Sequence, residues 1–518
     1  MLIPWTPRTY QIQVQPSLET LSELLKTNAT NGDKAPNVYP LCTSIPADLI
    51  TPSGAYLKIT NKTKPANSFL FESAPNTGSI GRYSFLGSEP RKIIKTGPGH
   101  GPEVDPLNIL QDELDQYRIA KIPGMKLPPL SGGAIGYVAY DCVKYFEPKT
   151  ARPLKDILQV PEALFMLFDT IVAFDHFFQK VQVITHLHLT TPTPSESDLK
   201  ALYDTAYETL SMVVNTIIEP TVPLPIQPPI IPNQTYTSNI GQSGYEAHVH
   251  KLKEHIIKGD IIQAVPSQRF ARPTTLHPFN IYRHLRTVNP SPYLFYVDCA
   301  DFSLVGASPE LLVKATNSRI VTHPIAGTLP RGETEEEDEA NASRLLASIK
   351  DRAEHVMLVD LARNDVNRVC DPLTVKVDHL MNVEKFSHVM HLVSQVSGDL
   401  ADDKTRFDAF RSIFPAGTVS GAPKVRAMEL IGECEGEKRG VYGGAVGYWG
   451  YDDHMDTCIA LRTMTVKDGV AYLQAGGGIV YDSVPFDEWE ETMNKAKSNM
   501  IAINGAEERY MNETEGRL

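Results

Sequence analysis

"RGVYGGAVGYW" (residues 439–449), "CIALRTM" (458–464) and "YLQAGGGIVYDS" (472–483) follow one another closely near the end of the chain. Each is an apolar run of strand length rich in aromatic or β-branched residues, and turns separate them. They predict three successive strands. Arg462 interrupts the second run, so it is either an ion-pair partner or a side chain facing a ligand. The triplet Gly476-Gly477-Gly478 is either a bulge or turn, or a nest whose backbone N–H groups are open to an anion. It matches neither GxGxxG nor a P-loop, so nucleotide binding is not supported.

Strand-like segments recur in the first half. "SFLFESA" (68–74), "RYSFLG" (82–87) and "ALFMLFDTIVAFDHF" (163–177) have strand composition, and "SGGAIGYVAYD" (131–141) carries glycines where backbone must turn or approach closely. After "TTPTPSESD" (190–198) a helix is predicted over 199–217. It leads into "EPTVPLPIQPPIIPNQTYTSNIGQSG" (219–244), whose prolines suit an extended linker and neither a helix nor a central strand. From Tyr245 to about Asn504 helices and strands alternate. The boundaries expected are therefore 1–190, a helix-plus-linker over 191–244, a unit over 245–505, and a tail over 506–518. The acidic run "ETEEEDEA" (333–340) reads as a solvated helix N-terminus favoured by the macrodipole.

Two helices carry paired carboxylates. "KDRAEHVMLVDLARND" (350–365) places Asp351 and Glu354 three residues apart on one face, and "SVPFDEWEETMNKAKSNM" (483–500) does the same with Glu488 and Glu491. Ser483 suits a cap and Pro485 the first turn. Like charges on one face repel, and a hard divalent cation such as Mg²⁺ would remove that cost. The alternative is two solvated faces, with Glu491 paired to Lys495.

"HPIAGTLPRG" (323–332) has the punctuation of an active-site loop, with Thr328 and Arg331 able to hold an anion, but its centre is Ala326. "FPAGTVSGAPKVRAM" (414–428) is a glycine-rich loop entering a helix, which would put Thr418 and Ser420 beside an anion at the helix start. His391 in "FSHVMHLVSQVSG" (386–398) and Glu310 in "GASPELLV" (306–313) are each open to a bland reading, as a satisfied core histidine and a turn glutamate. "GECEG" (432–436) mimics a nucleophile elbow. Its Cys434 lies between two glutamates that would raise the thiol pKa, and the segment reads as a helix end, so it is rejected as a nucleophile.

The 518 residues are 42% hydrophobic and 21% charged, enough for a large core. A net charge of -13 argues against nucleic acid or an anionic membrane as partner. The six cysteines lack disulfide or metal spacing, no run reaches membrane-spanning length, and no signal peptide is visible; the expectation is a cytoplasmic protein.

Taken in order, "GDIIQAVPSQRF", "NPSPYLFY", "GASPELL", "HPIAGTLPRG", "DRAEHVMLVDLARND", "SHVMHLVS", "GTVSGAPKVRAM", "RGVYGGAVGY", "ALRTM", "QAGGGIVYDS" and "EWEETMNKA" resemble the chorismate-utilising enzymes, and most closely anthranilate synthase component I. "FLFESA", "RYSFLG" and "GGAIGYVAYD" extend the resemblance into the N-terminal part. The expected fold is α+β: a large mixed fold of two packed, mostly antiparallel sheets with helices outside. An N-terminal regulatory, tryptophan-binding part would interlock with a C-terminal chorismate-binding catalytic part.

The resemblance also implies roles. Glu354 and Glu491 would hold Mg²⁺, with Asp351 and Glu488 close by. Tyr442, Arg462, Lys495 and the Gly476, Gly477 and Gly478 backbone would bind the acidic groups of chorismate, and Gly327, Thr328 and the catalytic-set Thr418 would line the pocket. Glu310 would be general acid for the departing C4 hydroxyl and His391 would sit beside the ring. A related enzyme that aminates C4 carries a nucleophilic lysine where this chain has Ala326, and isochorismate and salicylate synthases carry a water-activating lysine where it has Gln263. Both positions imply ammonia addition at C2 and anthranilate as product. Gly477 departs from the family's usual alanine, which should leave the N–H donors in place. A separate glutamine amidotransferase subunit would supply ammonia. Ser73, Pro292, Tyr293 and Leu294 would bind tryptophan as feedback inhibitor. The rival readings are aminodeoxychorismate synthase component I and a non-catalytic tryptophan-sensing subunit.

Overall fold

The computed structural model describes residues 10–28, 35–63, 67–74, 81–386 and 389–514. Two large sheets, of eleven and ten strands, dominate it, with a two-stranded ribbon formed by Gln263–Ala264 and Gly421–Ala422. Antiparallel ladders build both large sheets. Neither large sheet belongs to one half of the chain. In the first, Ser68–Glu72 pairs with Tyr293–Asp298; in the second, Gly133–Val138 pairs with Ala445–Gly450.

Between the sheets lies an apolar layer drawn from both, including Phe69, Phe295 and Leu304 of the first and Ile135, Met166 and Val446 of the second. On its outer face the first sheet packs helices through Leu210, Phe279 and Ile503; the second packs Val359, Phe407 and Phe410 against Trp449. The layering is helix, sheet, sheet, helix, which makes this an α+β fold.

The closing strands differ from the sequence reading in one respect. Four strands occur, not three: Ala445–Gly450, Met455–Ile459, Thr463–Lys467 and Val470–Gly476. "CIALRTM" breaks at 460–462 because the chain leaves the second sheet there and enters the first. Arg462 makes that switch with φ 48°, in the left-handed region that non-glycine residues seldom occupy. The segment Ser308–Leu311 crosses between the same two sheets in the opposite direction of travel, from Phe302–Ser308 to Leu311–Thr316.

The acidic run opens the helix Glu335–Ala347, capped by Thr334. Most of its carboxylates are exposed, but Asp338 is buried and takes the Arg331 guanidinium at 2.9 Å. Arg331 is thereby consumed and is not an anion holder. The helix Pro485–Thr514 continues past residue 505, so 506–514 are not a separate tail. Ser483 does not cap it: its hydroxyl accepts from Val480 N–H and donates to Glu488 at 2.6 Å. The "GECEG" stretch is indeed a helix end, closed by Gly436 at φ 63°. Burial pushes the Cys434 thiol up to about 11, more than the flanking glutamates do.

Candidate active site

Both crossings between sheets carry an ionisable side chain, and these two face each other. Glu310 sits on the first crossing, 5% exposed; Arg462 sits on the second. Backbone bonds fasten the crossings together, with Ile459 N–H donating to Glu310 O at 3.0 Å and Ala307 N–H to Arg462 O at 3.2 Å.

Glu310 accepts from the Thr418 hydroxyl at 3.0 Å and from the Ile325 N–H. Burial is the largest influence on it and raises its carboxyl to about 8, against the lowering pull of Thr418, Arg462 and Lys495. It is a buried acid that keeps its proton at neutral pH. Thr418 lies in the short turn Gly417–Val419, upstream of the helix Lys424–Glu435 and not at its start. Ser420 bonds Ala416 O at 2.8 Å, so it too is not a helix-start anion ligand.

His391 lies on Val389–Asp399, which pairs with Ile325–Pro330 through a register shift between Ala326 and Leu329. Gly327 occupies that irregularity at φ 67°. Its carbonyl accepts the His391 Nδ1–H at 2.8 Å, and the Thr328 hydroxyl stands 3.1 Å from the same nitrogen. Burial lowers the imidazole to about 4, so it is neutral, with Nδ1 protonated and a lone pair on Nε2. Ala326, 8% exposed, is one residue from the amide that bonds Glu310 and pairs with Leu392 beside His391.

The paired carboxylates come from opposite helices. Glu354, on Ile349–Asn367, accepts from Gln263 Nε2 at 2.8 Å. Burial raises its pKa, and Glu491 and Asp351 raise it further. Glu491 reaches solvent, 46% exposed, yet is enclosed by cations. Burial pushes it up, but Lys495 at 2.6 Å, Lys350 and Arg462 outweigh that and hold it below its ordinary value. Glu488 uses one oxygen on Ser483; the other is buried without a hydrogen-bond partner. Among the described residues no three metal-ligating side chains cluster around one point. The donor set nevertheless fits a hard cation held from two helices: two carboxylates that repel each other, one bonded only by a neutral amide, with other positions left to water or substrate oxygens.

The triglycine is less open than the sequence suggested. Gly476 N–H bonds the Tyr442 hydroxyl, and Gly477 N–H donates to the Tyr245 hydroxyl at 3.0 Å. Gly478 N–H alone of the three has no partner among the described residues. Lys495 Nζ donates to Gly476 O at 3.0 Å. The Arg462 guanidinium makes no hydrogen bond or ion pair among the described residues; Tyr442, Glu310 and Glu491 face it electrostatically. Of the two readings of Arg462, the ion-pair partner is the one the geometry does not support. Tyr245 was missed from sequence, since a tyrosine near the start of the helix Gly241–Ile257 carries no motif.

Ser73, Pro292, Tyr293 and Leu294 do not join this group. They line a separate cavity of about 540 Å³, together with Arg82, Glu384 and Phe386. The two sites share a wall: Ile325 and Phe386 line the cavity, while Ile325 N–H bonds Glu310 and the Phe386 ring packs edge-on to His391 at 5.2 Å.

The chorismate binding enzyme family matches residues 66–500. The chain belongs to that family. This chorismate-binding enzyme is 60% identical to anthranilate synthase component 1 of Saccharomyces cerevisiae, over 97% of this chain and 98% of that one. It is 56% identical to a probable anthranilate synthase component 1 of Schizosaccharomyces pombe, over 97% and 99%. The crystal structure of anthranilate synthase component I from Streptococcus pneumoniae superposes with a TM-score of 0.69 at 39% identity, covering 81% of this chain and 92% of that one. The menaquinone-specific isochorismate synthase of Escherichia coli reaches the same TM-score at 17% identity, covering 93% of this chain and 100% of that one, and shows the shared fold. Among the described residues no helix is long and apolar enough to cross a membrane.

Proposed function

We propose that this chorismate-binding enzyme is the synthase component of an anthranilate synthase. It would add ammonia to C2 of chorismate, expel the C4 hydroxyl as water, and eliminate pyruvate to leave aromatic anthranilate. The observation that carries the reading is Ala326, beside His391 and Glu310 at the reacting end of the site. No amine there can attack C2, and the near full-length likeness to component 1 proteins agrees.

Glu310, protonated at neutral pH, is the acid that would hand its proton to the departing hydroxyl. Neutral His391 would offer Nε2 beside the ring. Arg462, Lys495 and the Gly478 N–H would receive carboxylate groups of the substrate. Glu354 and Glu491 would hold Mg²⁺, which when bound supplies a hard Lewis-acid centre for a substrate carboxylate. Gln263 would keep Glu354 oriented without acting as a base. Ammonia would come from a separate glutamine amidotransferase subunit, a reading that the words "component 1" in the relatives' names support. Tryptophan, the end product, would occupy the 540 Å³ cavity and inhibit through the shared wall. A cytoplasmic location suits this chemistry.

The test uses the purified chain with chorismate, Mg²⁺ and a high ammonium concentration, without glutaminase. Anthranilate fluorescence that EDTA abolishes is expected. Consumption of chorismate without that fluorescence overturns the product assignment, and untouched chorismate favours a non-catalytic tryptophan sensor. Full activity at saturating tryptophan sinks the feedback reading.

A further inference from the structure

Arg439 is 2% exposed, lies outside the substrate-facing set, and is a charge whose burial has to be accounted for. Two of its bonds form a fork on Glu435: Nε to Oε2 at 2.9 Å and Nη2 to Oε1 at 2.7 Å. Glu435 Oε1 also accepts from Ser267 N–H and Oγ–H at 2.7 and 2.8 Å, so the pair is anchored on both sides. The guanidinium is packed between two rings, 4.4 Å from the Tyr140 centroid and 5.6 Å from that of Tyr442. Its remaining bonds go to backbone carbonyls: Nη1 to Val419 O at 2.8 Å and Nη2 to Val265 O at 2.6 Å.

Those two carbonyls belong to the two segments that aim the reacting groups. Val419 follows Thr418, which bonds Glu310; Val265 lies two residues after Gln263, which bonds Glu354. The segments already touch through the ribbon, where Gln263 lies opposite Ala422 and Ala264 opposite Gly421, and through Val265 N–H to Ser420 O at 3.0 Å. A ribbon of two residues per strand fixes register weakly, and one planar cation bridging both strands fixes it firmly.

We propose that Arg439 is a positioning residue for the reaction: it clasps 263–265 and 417–420 so that Gln263 reaches Glu354 while Thr418 reaches Glu310. The inference rests on the reading of Glu310 and Glu354 as working groups. Arg439→Lys would keep the charge but lose the fork, since one ammonium cannot serve Glu435, Val265 and Val419 together.

The experiment compares wild type, Arg439→Lys and Glu435→Gln in the ammonium-dependent assay, with thermal melting alongside. The second variant leaves Arg439 in place with a weaker partner, and it decides the matter if Arg439→Lys does not fold. Folded variants are expected to lose roughly 30-fold or more in kcat, with the chorismate KM changed less than about 3-fold. The alkaline limb of the pH–rate profile should move upward as Thr418 loosens from Glu310. Wild-type kcat and an unmoved limb in a folded variant overturn the proposal, as does a loss that unfolding alone explains in both variants. Absence of anthranilate from the wild type overturns the functional reading instead, so the two failures are distinguishable.

Discussion

The Thr418 hydroxyl donates to Glu310 Oε1 at 3.0 Å, and this bond opposes the burial that raises the carboxyl to about 8. It favours the charged form, so removing it raises the pKa further. Thr418→Val should therefore shift the alkaline limb of kcat/KM above its wild-type position while lowering kcat by roughly 10-fold. The pH–rate profile of the two proteins checks this, and an unmoved or lowered limb counts against the assignment of Glu310.

Glu310 also ties stability to pH. Its folded pKa is raised, so the proton it holds contributes stability below the ordinary carboxyl range that is lost as pH rises through about 8. Glu310→Gln should abolish most activity, by roughly 100-fold or more. The same variant should melt higher than wild type at pH 9, where the wild-type carboxylate is charged and buried, and show a smaller difference at pH 6. His391 works in the opposite sense. Its pKa is lowered to about 4, so its contribution is present above pH 6.5 and disappears as pH falls through 4, and no activity limb near 6.5 should belong to it.

The three glycines are not equivalent. A methyl on Gly477 would stand 3.1 Å from Glu488 Oε2 and 3.3 Å from the Tyr245 hydroxyl, a contact that small movements relieve. A methyl on Gly478 would stand 2.4 Å from Gln263 Nε2, displacing the amide that holds Glu354. Gly477→Ala should keep activity within about 3-fold of wild type and Gly478→Ala should lose roughly 100-fold, the size expected for a misplaced working group. Steady-state kinetics of the pair decides it, and equal effects would contradict the geometry.

Ala326→Lys would add an ammonium to a buried position beside neutral His391 and the protonated Glu310. Burying it is costly, and pairing it with Glu310 would take the proton that the departing hydroxyl needs. Anthranilate formation should fall by roughly 100-fold or more, with chorismate binding weakened less; product analysis by chromatography reads both the loss and any new product.

Much of the site was legible because its residues stand in local patterns. Glu354 and Asp351, like Glu491 and Glu488, are readable as helix-face pairs, and His391 and Glu310 stand out against apolar neighbours. The connections were not legible. Nothing in "CIALRTM" says that the chain changes sheets at Arg462, because the hydrophobic pattern continues across the break and only the backbone turns. Arg331 read as an anion ligand because its partner Asp338 was hidden in a run of exposed acids. Tyr245 and Arg439 act through contacts with segments far away in sequence, and no spacing rule marks such residues.

The pairing of Ser68–Glu72 with Tyr293–Asp298, and of Gly133–Val138 with Ala445–Gly450, has a consequence for biosynthesis. A ribosome delivers the first strands long before these neighbours exist, so Ser68–Glu72 waits with an open, apolar edge until past the middle of the chain and Gly133–Val138 until translation is nearly complete. Such edges are templates for unwanted pairing between nascent chains. A gene split in the proline-rich connection would yield two polypeptides that each lack the other's neighbours, and they should become soluble only when made together.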